Sequence, residues 1–594
     1  MEAQRNVWER TKSKIRSIAV AVISALATAT FAASANAAVG SVKILGNHPA
    51  EAAELVGQGS VASDRQLGMQ LTLALHNRAD LDRLLAAQQD KSSPQYHHWI
   101  STAEFDARFG PTDADVQKVS SWLAQSGFTV DSASTRTRTI KFHATAAVAQ
   151  KEFGVSIAAS SDRKYFANLE DPAVPADIAQ LVANIRGLSN THAPLAAVNT
   201  SEFKPANAAA SPEVKFGKFK HFGPNDLYTF YDETPLLSDS INGAGADCIA
   251  ILEDSDFDSA SVADFNSEFG LPPVSLSAVY ADGLAPGENP DYVEAELDAQ
   301  YGHAAAPGAP IVAYIGNEFV AESEGSDAII DALLSAVTDN SCGVISISFS
   351  FCGEPASLFT GTIDPLMAEA ASHNVGVYVS SGDQGSAAIV FSAKAGGCVI
   401  GKVRGVSELA ADPNATGVGG TSFSPKYSKA GADVGNVKEK VWHDIGASGG
   451  GQSEVFPKPV FQSGVIPADS NRDVPDISLA ASPLKRGFFL VLDEGAGPAL
   501  WCCFGGTTLS APNWAGIAEL VAQQAGAART GNINARLYTL GVLANPTASG
   551  LRDVTKGSNG FHGVAGFKAT TGYDKATGWG TPDIAVLMPK LAAP

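Results

Sequence analysis

The chain has 594 residues, which is too long for one compact domain, so two or more folded units are expected. Apolar residues make up 45% and charged residues 17% of the chain, which supplies a large core and argues against disorder. The formal net charge of −21 at pH 7 disfavours nucleic acid and anionic membranes as partners, because both attract clustered cations.

Residues 1–37 have the pattern of an export signal. A basic start that includes Arg5 and Arg16 precedes an apolar run over 18–33, and Ala35-Asn36-Ala37 offers small residues for cleavage. The alternative is a membrane anchor, but the run is shorter than the roughly 20 strongly apolar residues that a span needs. The sequence therefore predicts a secreted protein, extracellular or periplasmic, with no membrane association after the signal is removed.

Export also permits disulfide bonds. Cys342 and Cys352 flank an apolar run with the pattern of a strand, and this spacing predicts a bridge between them. The adjacent pair Cys502-Cys503 has no assignment from the sequence.

The segment 38–190 has the pattern of a smaller α+β domain. Ser101 and Thr112 each precede a helical pattern as N-caps, and short strand patterns follow at Phe128–Val130 and Arg138–Phe142. The next segment, 191–220, is rich in Ala, Pro, Asn and Lys without periodicity, which predicts an exposed linker where proteolytic cleavage concentrates.

From residue 221 onward, apolar strands alternate with helical stretches. The strand patterns lie at 248–252, 311–315, 344–348 and 375–379. Such strands predict an α/β fold with a parallel sheet that is covered on both faces. In sheets of this kind the functional site lies at the carboxyl ends of the strands.

The negative charge is concentrated in one part of the chain. Residues 221–393 contain 27 Asp and Glu and no Lys or Arg, whereas the segments on either side each carry a net charge of +3. Acids at this density repel one another at neutral pH and relax as they take up protons. We therefore expect the domain that contains this segment to be more stable near pH 4–5 than at pH 8.

Four motifs carry candidate chemistry. Glu294 and Asp298 lie four residues apart on one face of a predicted helix, and Asp383 lies in a glycine turn directly after a buried strand. Ser448-Gly449-Gly450-Gly451 is a glycine run, and the segment 505–512 is a glycine turn with hydroxyl groups that enters a helix. Taken singly, each motif also fits a structural reading as a solvated helix face, a turn, a loop or a helix cap.

Together and in this order, the motifs resemble the sedolisin–kumamolisin peptidases, a family of acid serine peptidases. The segment 94–105 is similar to the signature of their propeptide, 222–227 to the start of the mature enzyme, and 448–462 to a loop on the substrate side. The resemblance implies a subtilisin-like, doubly wound parallel sheet over 221–594 and a propeptide activation domain over 38–190. It also implies maturation by cleavage within 191–220, polypeptide substrates, inhibition by the chain's own propeptide, and a monomer.

The resemblance assigns roles to individual residues. Glu294 would be the general base, Asp298 would orient it, Asp383 would support the oxyanion, and Thr508 would occupy the position of the nucleophile. Ser448, Gly449 and Gly450 would bind substrate. A carboxylate base works best near its own pKa of ~4.3, and an Asp donates a hydrogen bond only while protonated, so this chemistry suits acidic surroundings.

The resemblance further implies one Ca²⁺ ion near the C-terminus. Asp553 and Asp574 would supply carboxylates, and Val554, Thr570 and Gly572 would supply backbone carbonyls, an all-oxygen set that Ca²⁺ prefers. Thr570 stands where the family more often has Gly, but a carbonyl ligand does not depend on its side chain. The alternative is a polar loop that closes the domain.

The nucleophile departs from the family pattern, because Thr508 stands where Ser is usual. The family's motif is Gly-Thr-Ser, and the segment 419–425 contains it. No buried helix pattern follows that segment, however, whereas one follows Thr508. A subtilisin-type Ser-His-Asp site is disfavoured, because the chain has no His-Gly-Thr segment and none of its 11 His lies in a matching position.

Three functional hypotheses remain open. The first is an acid peptidase that uses Thr508, whose β-methyl group restricts its rotamers and crowds the path of attack. The second is an exported pseudopeptidase on the same scaffold. The third, a glycine-rich sugar- or phosphate-binding protein, rests on 449–451 alone.

Overall fold

A computed structural model describes residues 40–593 except 197–198, 206–213, 217–218, 424–437, 467, 485–486, 494, 496 and 544–545. The predicted export signal and its cleavage site lie outside the described residues. Within the part that is described, no helix is both long enough and apolar enough to cross a membrane.

An N-terminal unit is formed by residues 40–190. Its strands are β1 Ser41–Lys43, β2 Gln66–Leu73, β3 Thr129–Ser134, β4 Thr139–Thr145, β5 Ile157–Ala159, β6 Phe166–Asn168, β7 Ala173–Pro175 and β8 Val182–Arg186. Its helices are α1 Arg78–Gln89, α2 Thr102–Phe109, α3 Asp113–Gln125 and α4 Ala146–Phe153, with short 3₁₀ turns at Ala50–Leu55 and Ala179–Leu181.

The N-terminal unit is an α+β domain with a core of its own. Its main sheet has the antiparallel order β3-β4-β2-β8, and a continuous apolar cluster over residues 44–188 lies beneath it. The predicted caps are confirmed, since the hydroxyl groups of Ser101 and Thr112 accept hydrogen bonds from the third backbone N–H of α2 and α3.

Strands β9 to β29 follow. Their bounds are β9 Ala193–Ala196, β10 Asn199–Pro205, β11 Val214–Phe216, β12 Phe219–His221, β13 Cys248–Glu253, β14 Leu276–Tyr280, β15 Ile311–Ile315, β16 Cys342–Ile347, β17 Phe349–Cys352, β18 Gly376–Ser380, β19 Ala387–Ser392, β20 Gly397–Arg404, β21 Ala415–Ser422, β22 Lys440–Val441, β23 Gly451–Pro457, β24 Asn471–Val474, β25 Ile477–Ala480, β26 Phe488–Asp493, β27 Pro498–Gly505, β28 Leu551–Arg552 and β29 Thr581–Pro582.

Helices α5 to α16 accompany them. Their bounds are α5 Pro224–Phe230, α6 Thr234–Ser238, α7 Ser259–Phe269, α8 Tyr292–Ala305, α9 Glu318–Ser323, α10 Ala328–Asp339, α11 Ala356–Leu358, α12 Asp364–Ser372, α13 Thr507–Gln524, α14 Asn534–Gly541, α15 Pro546–Ser549 and α16 Ile584–Ala592, and a π-helical turn spans Phe359–Ile363.

The C-terminal unit, from residue 222 onward, is built on a parallel sheet of the order β14-β15-β13-β16-β18-β21, and β21 also pairs with parallel β25 and antiparallel β22. Alternate residues of β13 belong to different apolar clusters: Ile249 and Ile251 to one, Ala250 and Leu252 to the other. Side chains of a strand alternate between the two faces of its sheet, so both faces are covered. The predicted α/β class and the smaller N-terminal α+β domain are confirmed.

The predicted linker, 191–220, contains strands where the sequence predicts irregular chain. The β9 backbone pairs antiparallel with β17, and the β10 backbone pairs antiparallel with β27. Apart from these pairings, β27 pairs only with β26 and β17 with no other strand among the described residues, so an extended segment can satisfy their remaining backbone groups whatever its side chains are. The boundaries at 190 and 220 remain predictions.

The predicted bridge between Cys342 and Cys352 is wrong. Cys342 pairs with Cys248, Cys352 pairs with Cys398, and Cys502 pairs with its neighbour Cys503. Cys342 begins β16 and Cys352 ends β17, so ten residues of extended chain, at about 3.3 Å each, hold them apart. Cys248 and Cys342 instead begin neighbouring parallel strands.

Arginine and lysine side chains of the N-terminal unit pair with acids of the cation-free segment 221–393. Arg138 Nη1 lies 2.6 Å from Glu369 Oε2, Arg136 pairs with the other oxygen of Glu369, and Arg78 Nη2 donates to Asp364 Oδ1 at 3.1 Å. The acidic segment therefore receives several of its positive partners from the N-terminal unit, while Arg529, later in the chain, pairs with Asp247.

Candidate active site

Polar side chains collect where the central parallel strands end. Glu253 is the last residue of β13, Ser348 directly follows β16, and Asp383 lies three residues after β18. All three are buried. Parallel strands end at one edge of their sheet, so residues far apart in the chain meet at this edge.

Helix α8 brings Glu294 and Asp298 to the same edge. Both side chains are buried, which excludes the reading of this pair as a solvated helix face. Glu296, between them in sequence, points elsewhere, since it accepts hydrogen bonds from the backbone N–H of Asp258 at 2.9 Å and from Gln300 Nε2 at 2.8 Å. Glu294 and Asp298, four residues apart, therefore lie on one face of α8, whereas Glu296 lies on another and has a structural role.

Helices α8 and α13 approach closely because a glycine lies at their contact. A Cβ atom on Gly516 would lie 2.5 Å from Ala305 Cβ and 3.1 Å from the carbonyl oxygen of Gly302. The short distance between the helices sets the start of α13, which carries Thr508, beside the acid pair.

Ser348 connects Asp298 with the backbone of Thr508. Its hydroxyl donates to the carboxylate of Asp298, with Oγ 2.9 Å from both Oδ1 and Oδ2, and Oγ lies 3.3 Å from the carbonyl oxygen of Thr508. A donor fixed in this way holds the Asp298 carboxylate in one orientation next to the start of α13.

Asp383 is held by the residue that precedes Thr508. Thr507 donates its backbone N–H to Asp383 Oδ1 at 2.8 Å and its hydroxyl to the same oxygen at 2.7 Å. The Thr507 hydroxyl oxygen in turn accepts from the backbone N–H of Gly382 at 3.0 Å. The glycine turn and the start of α13 are therefore locked together.

The carboxyl groups of the site hold their protons more tightly than exposed acids do. Burial, the negative charges of Asp298 and Asp383, and further acidic neighbours raise the pKa of Glu294 well above its usual value. Burial raises the pKa of Asp298 to about 8, although the hydrogen bond from Ser348 acts against this shift. Burial and the charges of Asp298 and Glu294 also raise the pKa of Glu253. At acidic pH some of these carboxyl groups are therefore protonated and carry no charge.

Thr508 is the second residue of α13 and is fully buried. Among the described residues its Oγ1 has no hydrogen-bond partner, and the same holds for both carboxylate oxygens of Glu294. Backbone N–H groups at the start of a helix favour negative charge, which suits a site where an oxyanion develops.

The glycine run expected to bind substrate packs against the Asp383 turn. Gly449 donates its N–H to the carbonyl of Gly382 at 2.7 Å and accepts from the hydroxyl of Ser381 at 2.8 Å. A Cβ atom on Gly449 would collide with the Ser381 carbonyl, and one on Gly450 would collide with the Lys575 carbonyl. Ser448 is also buried, and its hydroxyl donates to the carbonyl of Ala576 at 2.7 Å. These contacts support the turn, while a role toward substrate remains a prediction.

The two C-terminal segments expected to bind calcium lie side by side. The backbone N–H of Gly572 donates to Asp553 Oδ2 at 3.0 Å, and that of Thr570 donates to Asp574 Oδ2 at 3.0 Å. In the part of the chain that the structure describes, the carbonyl oxygens of Val554, Thr570 and Gly572 accept no hydrogen bond. Two carboxylates and three unpartnered carbonyls suit a hard divalent cation, so the residues fit Ca²⁺.

The competing sequence motifs have structural roles. Residues 419–422 form the end of β21 inside the sheet, and Thr421 donates to Glu439 at 2.7 Å, while 424–425 lie outside the described residues. His303 faces the carbonyl of Pro272 at 2.9 Å and not the acid pair.

Sequence reasoning did not single out Glu253, Ser348 or Thr507. The available signal for Glu253 and Ser348 is that each polar residue ends an apolar strand pattern.

Comparisons with known proteins find a family model for part of the chain and relatives over most of its length. Residues 53–191 match the model of the pro-kumamolisin activation domain. The chain is 27% identical to sedolisin from Pseudomonas sp. (strain 101), over 87% of this chain and 86% of the relative. It is 26% identical to kumamolisin from Bacillus sp. (strain MN-32), over 91% of this chain and 94% of the relative.

A solved structure of Pseudomonas sedolisin, described as a serine-carboxyl proteinase complexed with two molecules of pseudo-iodotyrostatin, matches with a TM-score of 0.49 and 28% identity. The match covers 63% of this chain and 98% of that chain. The activation-domain match and the sequence relatives support the sedolisin–kumamolisin family for this chain.

Proposed function

We propose that this protein is an exported peptidase of the sedolisin–kumamolisin type, made as a zymogen, which hydrolyses peptide bonds in proteins at acidic pH. The observation that carries the proposal is the assembly of Glu294, Asp298 and Asp383, all buried, around the start of α13, where Thr508 presents a hydroxyl without a hydrogen-bond partner among the described residues. Burying Glu294, whose carboxylate oxygens have no hydrogen-bond partner among the described residues, costs stability, and a fold without catalytic use gains nothing in return.

Each side chain has one role in the proposed reaction. Thr508 Oγ1 attacks the peptide carbonyl while the ionised form of Glu294, which its raised pKa makes a stronger base, takes the proton, and Asp298, held by Ser348, stabilises the proton on Glu294. Asp383 accepts hydrogen bonds from Thr507 through Oδ1. Its other oxygen, Oδ2, carries a proton and donates a hydrogen bond to the oxyanion. Glu294 then returns the proton to the leaving amine, and water hydrolyses the acyl-threonine ester by the same steps.

An extended peptide has a place beside the nucleophile. The β10 backbone pairs antiparallel with β27, with Asn199 opposite Gly505 and Thr200 opposite Phe504, only a few residues before Thr508. This pairing of the chain's own linker supports binding of a polypeptide by addition of a strand at that edge. It also supports inhibition by the propeptide before maturation.

Calcium has a structural role in this proposal. Asp553, Asp574 and the carbonyls of Val554, Thr570 and Gly572 would hold the ion, which supplies charge neutralisation that fastens the two C-terminal segments to each other. The catalytic steps do not involve it.

The second candidate is an exported pseudopeptidase, favoured by the β-methyl group of Thr508. In a fully buried position this group restricts the rotamer of the hydroxyl, and an error of ~1 Å in its position costs roughly 10²-fold in rate. Peptide binding without turnover would then be the function of the site.

One experiment separates the two candidates. The full chain, with Thr508→Ser, Thr508→Ala and Glu294→Ala variants, is purified at neutral pH and brought to about pH 4, and cleavage within 191–220 is followed by mass spectrometry. If the protein is a peptidase, the wild type is cleaved and the Thr508→Ser variant is cleaved faster. The Thr508→Ala and Glu294→Ala variants stay intact. An intact wild type beside a maturing Thr508→Ser variant selects the pseudopeptidase, and maturation of Glu294→Ala rejects Glu294 as the base.

A further inference from the structure

A polar cluster, buried at Asp327 and half-buried at its other two residues, lies where the linker leaves the N-terminal unit. It consists of His192 at the start of the linker, Asp327 at the N-cap of α10, and Glu354 shortly after β17. One ligand atom from each side chain lies within 4.8 Å of the other two. No other group of three His, Cys, Asp or Glu side chains among the described residues meets this condition.

The tautomer of His192 is fixed by its outer contact. Nε2 lies 3.2 Å from the carbonyl oxygen of Ser189, which can only accept, so Nε2 carries the hydrogen. In a neutral ring Nδ1 then has a lone pair, and this nitrogen lies 3.3 Å from Glu354 Oε1. A carbonyl that accepts from the second nitrogen is the usual support of a metal-binding histidine.

The distance between His192 Nδ1 and Glu354 Oε1 matches the distance between two ligand atoms of one zinc ion. Although Nδ1 and Oε1 are 3.3 Å apart, neither atom makes a hydrogen bond within the described chain, so the oxygen lies off the axis of the nitrogen. Two ligands bound tetrahedrally to zinc at 2.0–2.1 Å are about 3.3 Å apart and face the ion instead of each other.

Asp327 supplies a buried oxygen without a partner. Its Oδ1 accepts from the backbone N–H groups of Ile329 and Ile330, and its Oδ2 has no hydrogen-bond partner in the described part of the chain. The side chain is fully buried. An uncompensated carboxylate oxygen in such a position calls for a proton or a cation.

The surrounding charges leave room for a cation. Glu318 and Asp331 lie within electrostatic range of Asp327, and Arg186 is the basic side chain at the cluster, with Nη2 3.6 Å from Glu354 Oε1. Arg186 Nη1 donates to the hydroxyl of Ser326 at 3.0 Å. Arg186 and, within range of Asp331, Lys141 are therefore two cations against four carboxyl groups when His192 is neutral.

A solvent path reaches the cluster. A cavity of about 760 Å³ between the N-terminal unit and α9 is lined by His192 and Ser326, among other residues. A hydrated ion can therefore reach the histidine side of the cluster from solvent.

We propose that His192, Asp327 and Glu354 form a zinc-binding site that fastens the start of the linker to the C-terminal unit. Imidazole nitrogen with carboxylate oxygen is a ligand set that suits zinc, whereas Ca²⁺ and Mg²⁺ prefer oxygen alone. The fourth position, toward the cavity, takes water. If the chain is a zymogen as proposed above, zinc held between the start of the linker and the C-terminal unit slows the departure of the N-terminal unit.

Zinc binding is measured on the full chain at pH 7.5, with ZnCl₂ as titrant, a chromophoric chelator as competitor and CaCl₂ at saturation. One zinc ion per chain is expected, with affinity lower by on the order of 100-fold in His192→Ala and Glu354→Gln. His143→Ala is the matched control, because His143 forms an exposed pair with Asp131 within the N-terminal unit. Equal affinity in wild type and His192→Ala overturns the proposal. Melting curves of all variants confirm that they are folded.

A second measurement concerns the consequence of binding. Processing at pH 6 is expected to slow at least several-fold when zinc is added to wild type, and to be unaffected by zinc in His192→Ala. Zinc binding without any processing of wild type upholds the site but rejects the peptidase. Equal inhibition by zinc in both proteins shows that the ion acts elsewhere, and it overturns the role in zymogen retention.

Discussion

Thr507 gives both its backbone N–H, at 2.8 Å, and its hydroxyl, at 2.7 Å, to a single oxygen of Asp383. Two donors on Oδ1 fix the carboxyl group and keep its acceptor function on that atom. Thr507, the residue next to the proposed nucleophile, thus positions Asp383, the proposed oxyanion donor. The first turn of α13 therefore connects these two parts of the proposed site.

Replacing Thr507 tests this coupling. Thr507→Val removes the hydroxyl but keeps the backbone donor, so kcat is expected to fall by about 10- to 100-fold, somewhat less than for loss of an oxyanion donor itself. KM is expected to change little, because the contact does not touch substrate. Peptide hydrolysis at pH 4 measures both constants. Thr507→Ser keeps the hydroxyl and should retain most of the activity, and equal loss in both variants would reject the positioning role.

The acid pair on α8 predicts a change in the pH profile. The Asp298 carboxyl group contributes to the raised pKa of Glu294, so Asp298→Asn is expected to move the acidic limb of kcat/KM to lower pH and to reduce kcat. Glu296→Gln is the matched control, since Glu296 is equally buried on the same helix but bonds to Asp258 and Gln300. Hydrolysis rates from pH 2 to pH 7 give the profiles. A limb that stays in place in Asp298→Asn would remove Asp298 from the site.

Much of the site could be predicted from the sequence because its signals are local. Glu294 and Asp298 are related by helical spacing, and Asp383 directly follows a buried strand in a glycine turn. The four strand patterns that predicted the parallel sheet correspond to β13, β15, β16 and β18. Periodicity and turn chemistry need only a short window of sequence.

The features that the sequence did not reveal depend on which strands are neighbours. Cys248 pairs with Cys342 across 94 residues because β13 lies beside β16, and no local pattern encodes that order. Ser348 becomes a partner of Asp298 through the same arrangement. Charge counting located the acidic segment, but that its partners include Arg136 and Arg138 of the N-terminal unit depends on how the two units pack.

Calcium removal is expected to destabilise the protein. Treatment of the full chain with EGTA should lower Tm by several degrees, and CaCl₂ should restore it where MgCl₂ does not, because the proposed carbonyl-rich site suits the larger ion. Asp553→Asn should abolish the response to calcium. Asp131→Asn, at an exposed pair of the N-terminal unit, is the control and should respond like wild type. An unchanged Tm after EGTA would argue for the polar loop without an ion.

The buried ion pair between Arg138 and Glu369 is expected to hold the N-terminal unit on the C-terminal unit before maturation. Although burial raises the pKa of Glu369, the neighbouring His373 and the charges of Arg138 and Arg136 lower it to about 2, so the pair persists at pH 4. Arg138→Met leaves a buried carboxylate with fewer partners, and loss of one member of a buried pair costs about 3–5 kcal/mol.

We therefore expect Arg138→Met to mature faster and at higher pH than wild type. The rate of cleavage within 191–220 at pH 4 to pH 7 is the measurement. Arg83→Met serves as the control, because Arg83 forms an exposed pair with Asp80 inside the N-terminal unit and should not affect maturation. Equal rates in wild type and Arg138→Met would show that this pair does not hold the units together.

The buried carboxyl groups make stability fall as pH rises. Burial raises the pKa of Asp298 to about 8 and that of Glu253 well above its ordinary value, whereas both groups ionise near ~4 in the unfolded chain. Above pH ~4 the unfolded state loses protons that the folded state keeps. Each group then lowers the free energy of unfolding by up to about 1.4 kcal/mol per pH unit until its folded-state pKa is reached.

Melting curves of the full chain should therefore give a higher Tm at pH 5 than at pH 8, measured in a Thr508→Ala background to prevent self-cleavage. Glu253→Gln removes one of the responsible groups and should flatten the dependence, while Glu104→Gln, at an exposed position of α2, should leave it unchanged. Glu369 does not oppose this trend, because its contribution is lost only as pH falls through about 2. A Tm that rises from pH 5 to pH 8 would show that ion pairs, and not the buried acids, control the pH dependence.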